Sequence, residues 1–229
     1  MIYVNGCSLT YGMELGTSGY KLHAPQLTSS ENDYRQSHSW PGLLGTYYCE
    51  DVVNHGASGG SNARIFNTTV EALEKMEVPP SLVVIGWTSL GRIEIFDRDT
   101  NSEYQCSLRT AGLAMLKKHN VLPPNVVKYA DAYVDHFLDY DWLASKLSVM
   151  VIALSAYLRD KKIPFIMFSA IPNKMESRQF DNYLPVDMYS ATEKLPAGPY
   201  LHTLEEGHAL WAKTLIAEID KRRILEPLA

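Results

Sequence analysis

Four short stretches of the chain carry residues suited to acyl-transfer chemistry. The first is "MIYVNGCSLTYG", where an apolar, β-branched run stops at Gly6-Cys7-Ser8. A serine just past a strand and entering a helical turn points its hydroxyl out of the sheet edge, where a nucleophile is useful and a helix N-terminus favours developing negative charge. The same serine could serve only as an N-cap. The second is "NHGASGGSNARI", Asn54 to Ile65, whose glycines let a ligand approach the backbone and expose an N–H before a helix, as an oxyanion hole requires. Gly59 is the favoured donor there, with Asn62 beside it. In the third, "VVIGWTSLGRIE", Thr88 and Ser89 follow a strand as possible polar donors and Arg92 lies one helical turn on, within reach of substrate. The fourth is "YLHTLEEGHALWAKTLIAEI". Thr203 with Glu206 reads as a capping box, which starts the helix at Leu204 and leaves His202 just outside it on a loop. His208 falls in register with Leu204, Trp211, Leu215 and Ile219 and reads as a packed, hydrogen-bonded histidine.

Positioning these residues requires strand ends that converge. Near-continuous apolar runs over Ile2 to Asn5, Asp51 to His55, Leu82 to Trp87 and Pro164 to Ser169 read as strands buried on both faces. Helices are expected over Trp40 to Tyr48, after Ser39 and with Pro41 in the first turn, and over Asn62 to Met76 after Ser61. Trp142 to Arg159 carries a stripe of Leu143, Leu147, Met150, Leu154 and Leu158, and a last helix runs from about Leu204 to Arg222. Strands alternating with helices imply a parallel sheet with right-handed crossovers, hence a three-layer α/β/α sandwich. Sites in such folds form at the carboxyl ends of the strands. The polar segment Gly12 to His38 and the stretch Asp97 to Asp139 break the alternation and read as loops or small decorations over the sheet edge.

Composition narrows the function. The 229 residues suit one domain, 1–229, and with 46% hydrophobic and 21% charged residues nothing suggests disorder. A net charge of -5 argues against nucleic acid as partner. Cys7, Cys49 and Cys106 are too few and scattered for a disulfide framework, so a reducing, cytoplasmic location is expected, with virion association open for a phage-encoded chain. The N-terminus has no signal-peptide pattern. The stretch "LASKLSVMVIALSAYL" is short for a membrane span and carries Lys146, so it reads as a buried helix and no membrane insertion is expected. His23, His38, His55, His119 and His136 show no metal-ligand spacing, and neither a metal nor a cofactor is implied. The carboxylate pairs Asp97/Asp99 and Asp139/Asp141 read as solvated surface rather than glycosidase machinery.

Together the four stretches resemble the blocks of the SGNH (GDSL-like) hydrolase family. Gly6-Cys7-Ser8 stands where the family usually has G-D-S, Gly59 in "NHGASGGSN" matches the second block, and Gly86-Trp87-Thr88-Ser89 loosely matches G-x-N-D, with Thr88 at the asparagine. "HTLEEGH" reproduces the spacing from the family's catalytic histidine to its Gly-His pair, but Pro199 occupies the place of the triad acid. The wording "GCSLTYG", "GGSN" and "GWTS" is also similar to versions encoded by tailed bacteriophages. The resemblance implies a flavodoxin-like sheet of four to five strands and a serine esterase or carbohydrate deacetylase acting on a small-molecule or carbohydrate acyl ester. Ser8 would be the nucleophile, His202 the base, and the N–H groups of Ser8 and Gly59 with the Thr88 hydroxyl the oxyanion donors. With no acid at 199, His202 would need a backbone carbonyl or a distant carboxylate to orient it. Two other readings stand beside this one. Gly56-Ala57-Ser58-Gly59-Gly60 matches the G-x-S-x-G elbow of α/β-hydrolases with Ser58 as nucleophile, and Cys7, Thr88 and Pro199 could mark an inactive scaffold used for binding.

Overall fold

In the computed structural model, residues 1–16, 27–118, 120–173, 175 and 180–226 are described, with 110, 111 and 115 described by backbone alone. The elements in chain order are β1 (Ile2–Gly6), α1 (Ser8–Tyr11), α2 (Ser29–His38), α3 (Trp40–Tyr48), β2 (Val52–Asn54), α4 (Asn62–Lys75), β3 (Leu82–Trp87), β4 (Arg92–Asp97), β5 (Ser102–Ser107), α5 (Thr110–Lys118), α6 (Pro124–His136), α7 (Tyr140–Asp160), β6 (Phe165–Ser169), α8 (Met188–Thr192) and α9 (Glu205–Lys221). The four predicted strands form one parallel sheet in the order β2-β1-β3-β6. This is the doubly wound, flavodoxin-like order, with the chain reversing direction of growth beside β1.

Successive residues of a strand face opposite sides, so each central strand feeds two cores. Ile2 and Val4 of β1 pack with Trp40 and Leu44 of α3 and with Trp211 and Leu215 of α9. Tyr3, with Val83 and Ile85 of β3, packs against Ile65 of α4 and Leu147, Val151 and Leu154 of α7. Each such aliphatic side chain, fully buried, contributes about 1.5–3 kcal/mol. Two covered faces explain why these strands show no polar alternation. At the end of β1 the buried Asn5 amide donates to Thr69 Oγ1 at 2.9 Å while its Oδ1 accepts from Gly6 N at 2.8 Å, which fixes the strand terminus against α4 just before Ser8.

Several elements depart from the sequence reading. Of the two readings of Asp97 to Asp139, loop or small decoration, the structure has the second, as a folded unit. β4 and β5 pair antiparallel from Arg92↔Ser107 to Asp97↔Ser102, and Cys106, Leu108, Leu113, Leu116, Val126 and Ala130 form an apolar core of their own with α5 and α6. Its strands are half-exposed and of mixed polarity, so they lack the run of apolar residues that marks the main sheet. Within Gly12 to His38, α2 is a helix capped by a Thr28–Glu31 capping box, while 17–26, including His23, and His119 fall outside the described residues. α7 is longer than predicted, and by length and composition it could cross a membrane. One face packs under the sheet, whereas Trp142, Val149 and Ile152 are exposed, so it is not a wholly buried helix. Of the two carboxylate pairs, Asp99, Asp139 and Asp141 are exposed as expected, whereas Asp97 is buried and accepts from Thr100 Oγ1 and Asn125 Nδ2 at 2.8 Å; Asp139 also caps α7 through the N–H groups of Asp141 and Trp142 at 2.9 Å.

The predicted Thr203–Glu206 capping box does not form. The N-cap of α9 is Leu204 without a side-chain bond, because Thr203 is held in a bridge to Ala197 and its hydroxyl, pressed against Gly207, has no partner. His202 nevertheless lies on the loop before α9, as expected.

Candidate active site

One cleft of about 490 Å³ collects most of the predicted residues. Its walls include Ser8, Ser58, Gly59, Arg92 and His202, together with Leu9, Met13, Tyr189 and Tyr200 from the sandwich and Glu103, Tyr104, Gln105, Ser107 and Leu116 from the β4–β5 unit. The cleft lies where the strand ends of the sheet meet that unit, so the unpredicted hairpin supplies a whole wall.

Ser8 is the first residue of α1, whose turn closes through Thr10 N and Tyr11 N on the Cys7 carbonyl. The N–H of Ser8 precedes those bonds and is one of the groups a helix start leaves unpaired. Gly59 has φ +78°, a left-handed conformation natural to glycine, and a Cβ there would crowd Gln105 Oε1 at 3.1 Å. Among the described residues its N–H makes no hydrogen bond. Two unpaired backbone donors therefore border the cleft.

His202 carries the feature that pattern reading missed. Its Nδ1 lies 2.9 Å from Glu14 Oε2, and the same carboxylate accepts from His202 N and Tyr200 N, each at 3.1 Å. Burial pushes the Glu14 carboxyl up, but the His202 side-chain bond, the two backbone N–H groups and the His202 charge together outweigh it and hold the pKa below its ordinary value of 4.5. An ionised Glu14 only accepts, so Nδ1 carries the proton, and in the neutral tautomer of such a ring the lone pair is at Nε2. Glu14 itself sits at φ 71°, a left-handed backbone uncommon outside glycine, and Gly198 leaves room for its carboxylate, since a Cβ there would collide with Glu14 Oε1. The turn is closed by Gly198 N donating to His202 O at 2.9 Å. Strain concentrated at one acid is expected where its placement matters. The sequence offers one signal: Glu14 is the only acidic residue before Glu31 and stands between Met13 and Leu15, an apolar context unusual for a solvated carboxylate.

Two expected site residues, Asn62 and Thr88, are not among the residues lining the cleft. Asn62 Nδ2 donates to Thr88 O at 3.2 Å and its Oδ1 accepts from Thr88 N at 2.8 Å, so the amide is spent on joining α4 to the end of β3. The Thr88 hydroxyl is buried without a partner and cannot meet a ligand. Thr88, expected as an oxyanion donor, and Asn62, expected beside Gly59 as a substrate-binding residue, thus lie outside the cleft lining, joined to each other. Arg92 does line the cleft, on β4. Ser58 also lines it, but in the loop between Asn54 and Asn62 rather than on a tight strand-to-helix elbow, so the elbow geometry is absent. Ser8 Oγ and His202 share no hydrogen bond among the described residues; such contacts often close only with substrate in place.

The model of a family described as a family of unknown function (DUF6071) matches residues 26–183. The chain belongs to that family. No curated protein sequence matches it. Among solved structures, an acetyl xylan esterase from the rumen bacterium Butyrivibrio proteoclasticus superposes with a TM-score of 0.55 at 10% identity, over 98% of this chain and 64% of that one. A family two carbohydrate esterase from Clostridium thermocellum, in complex with cellohexaose, gives 0.51 at 14% identity, over 98% and 65%. At such identities the likeness is one of fold, and this member of the DUF6071 family spans less than two thirds of the length of either esterase.

The second histidine of the C-terminal segment, His208, is fully buried in the sandwich, where its Nδ1 accepts from Trp40 N at 3.1 Å. Burial, with a smaller contribution from His202, pushes its pKa down to about 3. The unfolded chain would take up a proton below about 6.5 while the folded ring stays neutral, so this group's contribution is complete above that pH and is lost as pH falls toward 3. His208→Ala should lower stability by about 1–3 kcal/mol at neutral pH through lost packing and an unpaired Trp40 N–H. Urea denaturation at pH 7.5 and pH 5 should show the gap between wild type and variant narrowing at the lower pH.

Proposed function

We propose that this DUF6071 member hydrolyses acyl esters with a Ser8–His202–Glu14 triad. The observation that carries the reading is the Glu14 carboxylate on His202 Nδ1 in the cleft that also holds Ser8 and Gly59. Glu14 takes the part that Pro199 leaves vacant. Ser8 Oγ attacks the acyl carbonyl as His202 Nε2 removes its proton, and the Nδ1–H bond to Glu14 fixes the tautomer and stabilises the imidazolium. The N–H groups of Ser8 and Gly59 hold the oxyanion. His202 then protonates the departing alcohol, and a water activated by the same nitrogen releases the acid. Polar Arg92, Gln105 and Ser107 beside Tyr104, Tyr189 and Tyr200 suit a hydroxylated alcohol such as a sugar, and the carbohydrate esterases of like fold support that substrate class.

The test is a panel of p-nitrophenyl acyl esters and acetylated sugars, run on wild type and Ser8→Ala. Turnover by wild type alone supports the reading. A fluorophosphonate probe separates the two serines of the cleft: peptide mass spectrometry should place the adduct on Ser8, whereas an adduct on Ser58 would transfer the nucleophile to the β2–α4 loop.

A further inference from the structure

We propose that a second site, on the β2 edge of the sheet, binds an oxoanion, a phosphoryl, sulfo or carboxylate group. A groove of about 620 Å³ runs past the end of β2 between α2 and α4, and none of its lining residues lines the Ser8 cleft. The inference does not depend on ester hydrolysis.

Arg35 stands in its wall and is only 5% exposed, yet no carboxylate among the described residues pairs with it. Its Nη1 donates to Tyr11 O, its Nη2 to Asn32 Oδ1 at 2.7 Å, and the guanidinium lies 4.0 Å from the Tyr11 ring centroid. All these partners are neutral, and among the described residues Nε has no partner. A buried cation without a counter-charge is among the more costly arrangements in a folded protein. Tyr11, which also lines the groove, is 8% exposed, and among the described residues its hydroxyl has no partner. On the facing wall, Arg64 donates to the His55 carbonyl at 3.3 Å and makes no ion pair among the described residues. The lining carboxylate, Glu71, is taken by Lys75 at 2.6 Å. Three cations therefore line the groove beside one acid in a chain whose net charge is -5, and two of them are arginines without an ion pair among the described residues. Guanidinium forks match groups with two or more oxygens on one centre, and an anion seated here would supply the missing counter-charge and an acceptor for the orphaned donors.

Calorimetric titration at constant ionic strength, with inorganic phosphate, sulfate, acetate and citrate as probes and chloride as control, tests the site and separates tetrahedral from carboxylate ligands. Saturable one-site binding of at least one probe is expected, weakened at least about tenfold in Arg64→Gln, as the loss of a charge-assisted hydrogen bond implies. Arg35→Gln should weaken it further; because that variant removes a buried group, Arg64→Gln on the β2-edge surface carries the test if it does not fold. Ser8→Ala should bind as wild type. No saturable binding of any probe above chloride, or equal binding by wild type and Arg64→Gln, would overturn the proposal.

Discussion

Alanine at Ser8 or at His202 should each lower kcat/KM by at least about 10³-fold, with melting temperatures within a few degrees of wild type. Residues that act as one catalytic unit show such non-additive losses, and the double variant should be no worse than either single one. The structural reason for unchanged stability is that Ser8 Oγ and the His202 ring border a cavity and join neither apolar core. His208→Ala makes the informative contrast, since that ring is wholly enclosed. A His202→Ala protein that retained turnover, measured by initial rates on the best ester of the panel, would remove the base from the proposal.

Glu14→Gln should lower kcat by about 10²–10⁴-fold at neutral pH, the upper figure being the handicap known for a serine protease whose orienting aspartate becomes an amide. Glutamine keeps the size of the side chain, but its single carbonyl can accept from only one of the Tyr200 and His202 N–H groups, which bond different oxygens of Glu14, so a modest loss of stability should accompany the variant. What it loses is the charge that stabilises the imidazolium. The stability effect has a definite sign. Glu14 is held below its ordinary pKa of 4.5 in the folded chain, so its contribution is present above that value and disappears as pH falls through the lower, folded value. Melting curves of wild type and Glu14→Gln should therefore converge below about pH 4.5 and diverge above it. Equal activity of the two proteins at pH 7 would show that Glu14 only braces the turn at Gly198.

How much of this was legible follows from where each signal resides. β1, β3 and β6 are readable because burial on both faces leaves runs such as "LVVIGW", and α4 because Ser61 caps it through Arg64 N at 3.0 Å. Ser8, Gly59 and His202 fall at strand ends or just before a helix, places that local pattern can find. The β4–β5 unit was missed because residues such as "SEYQCS" bury one side only, against a small separate core. Thr88 was misassigned for a related reason: block order places the residue correctly in the chain, but whether its hydroxyl faces the cleft or the interior is decided by the Asn62 amide. Glu14 offered only its apolar neighbours as a signal, since its bond to His202 joins positions 188 residues apart and no periodicity links them. Pro199 signalled only that a replacement had to come from elsewhere.

The position of Glu14 has a consequence for how such a site tolerates change over evolutionary time. In the D-x-x-H arrangement, acid and base are spelled by one block, so a search keyed to that block finds both or neither. Here the acid shares a short stretch with Ser8, fixed to it by the α1 turn and the left-handed backbone at Glu14, while the C-terminal turn delivers the histidine alone. Changes of length in the hairpin-and-helix unit between Leu15 and Ala197 leave the spacing of Ser8 and Glu14 unaltered. The contact between the turn at Gly198 and the Glu14 carboxylate is the junction that keeps Glu14 and His202 in register. Relatives that share this division of labour should keep an acid a few residues after the first-block serine and vary freely at the position three before the histidine.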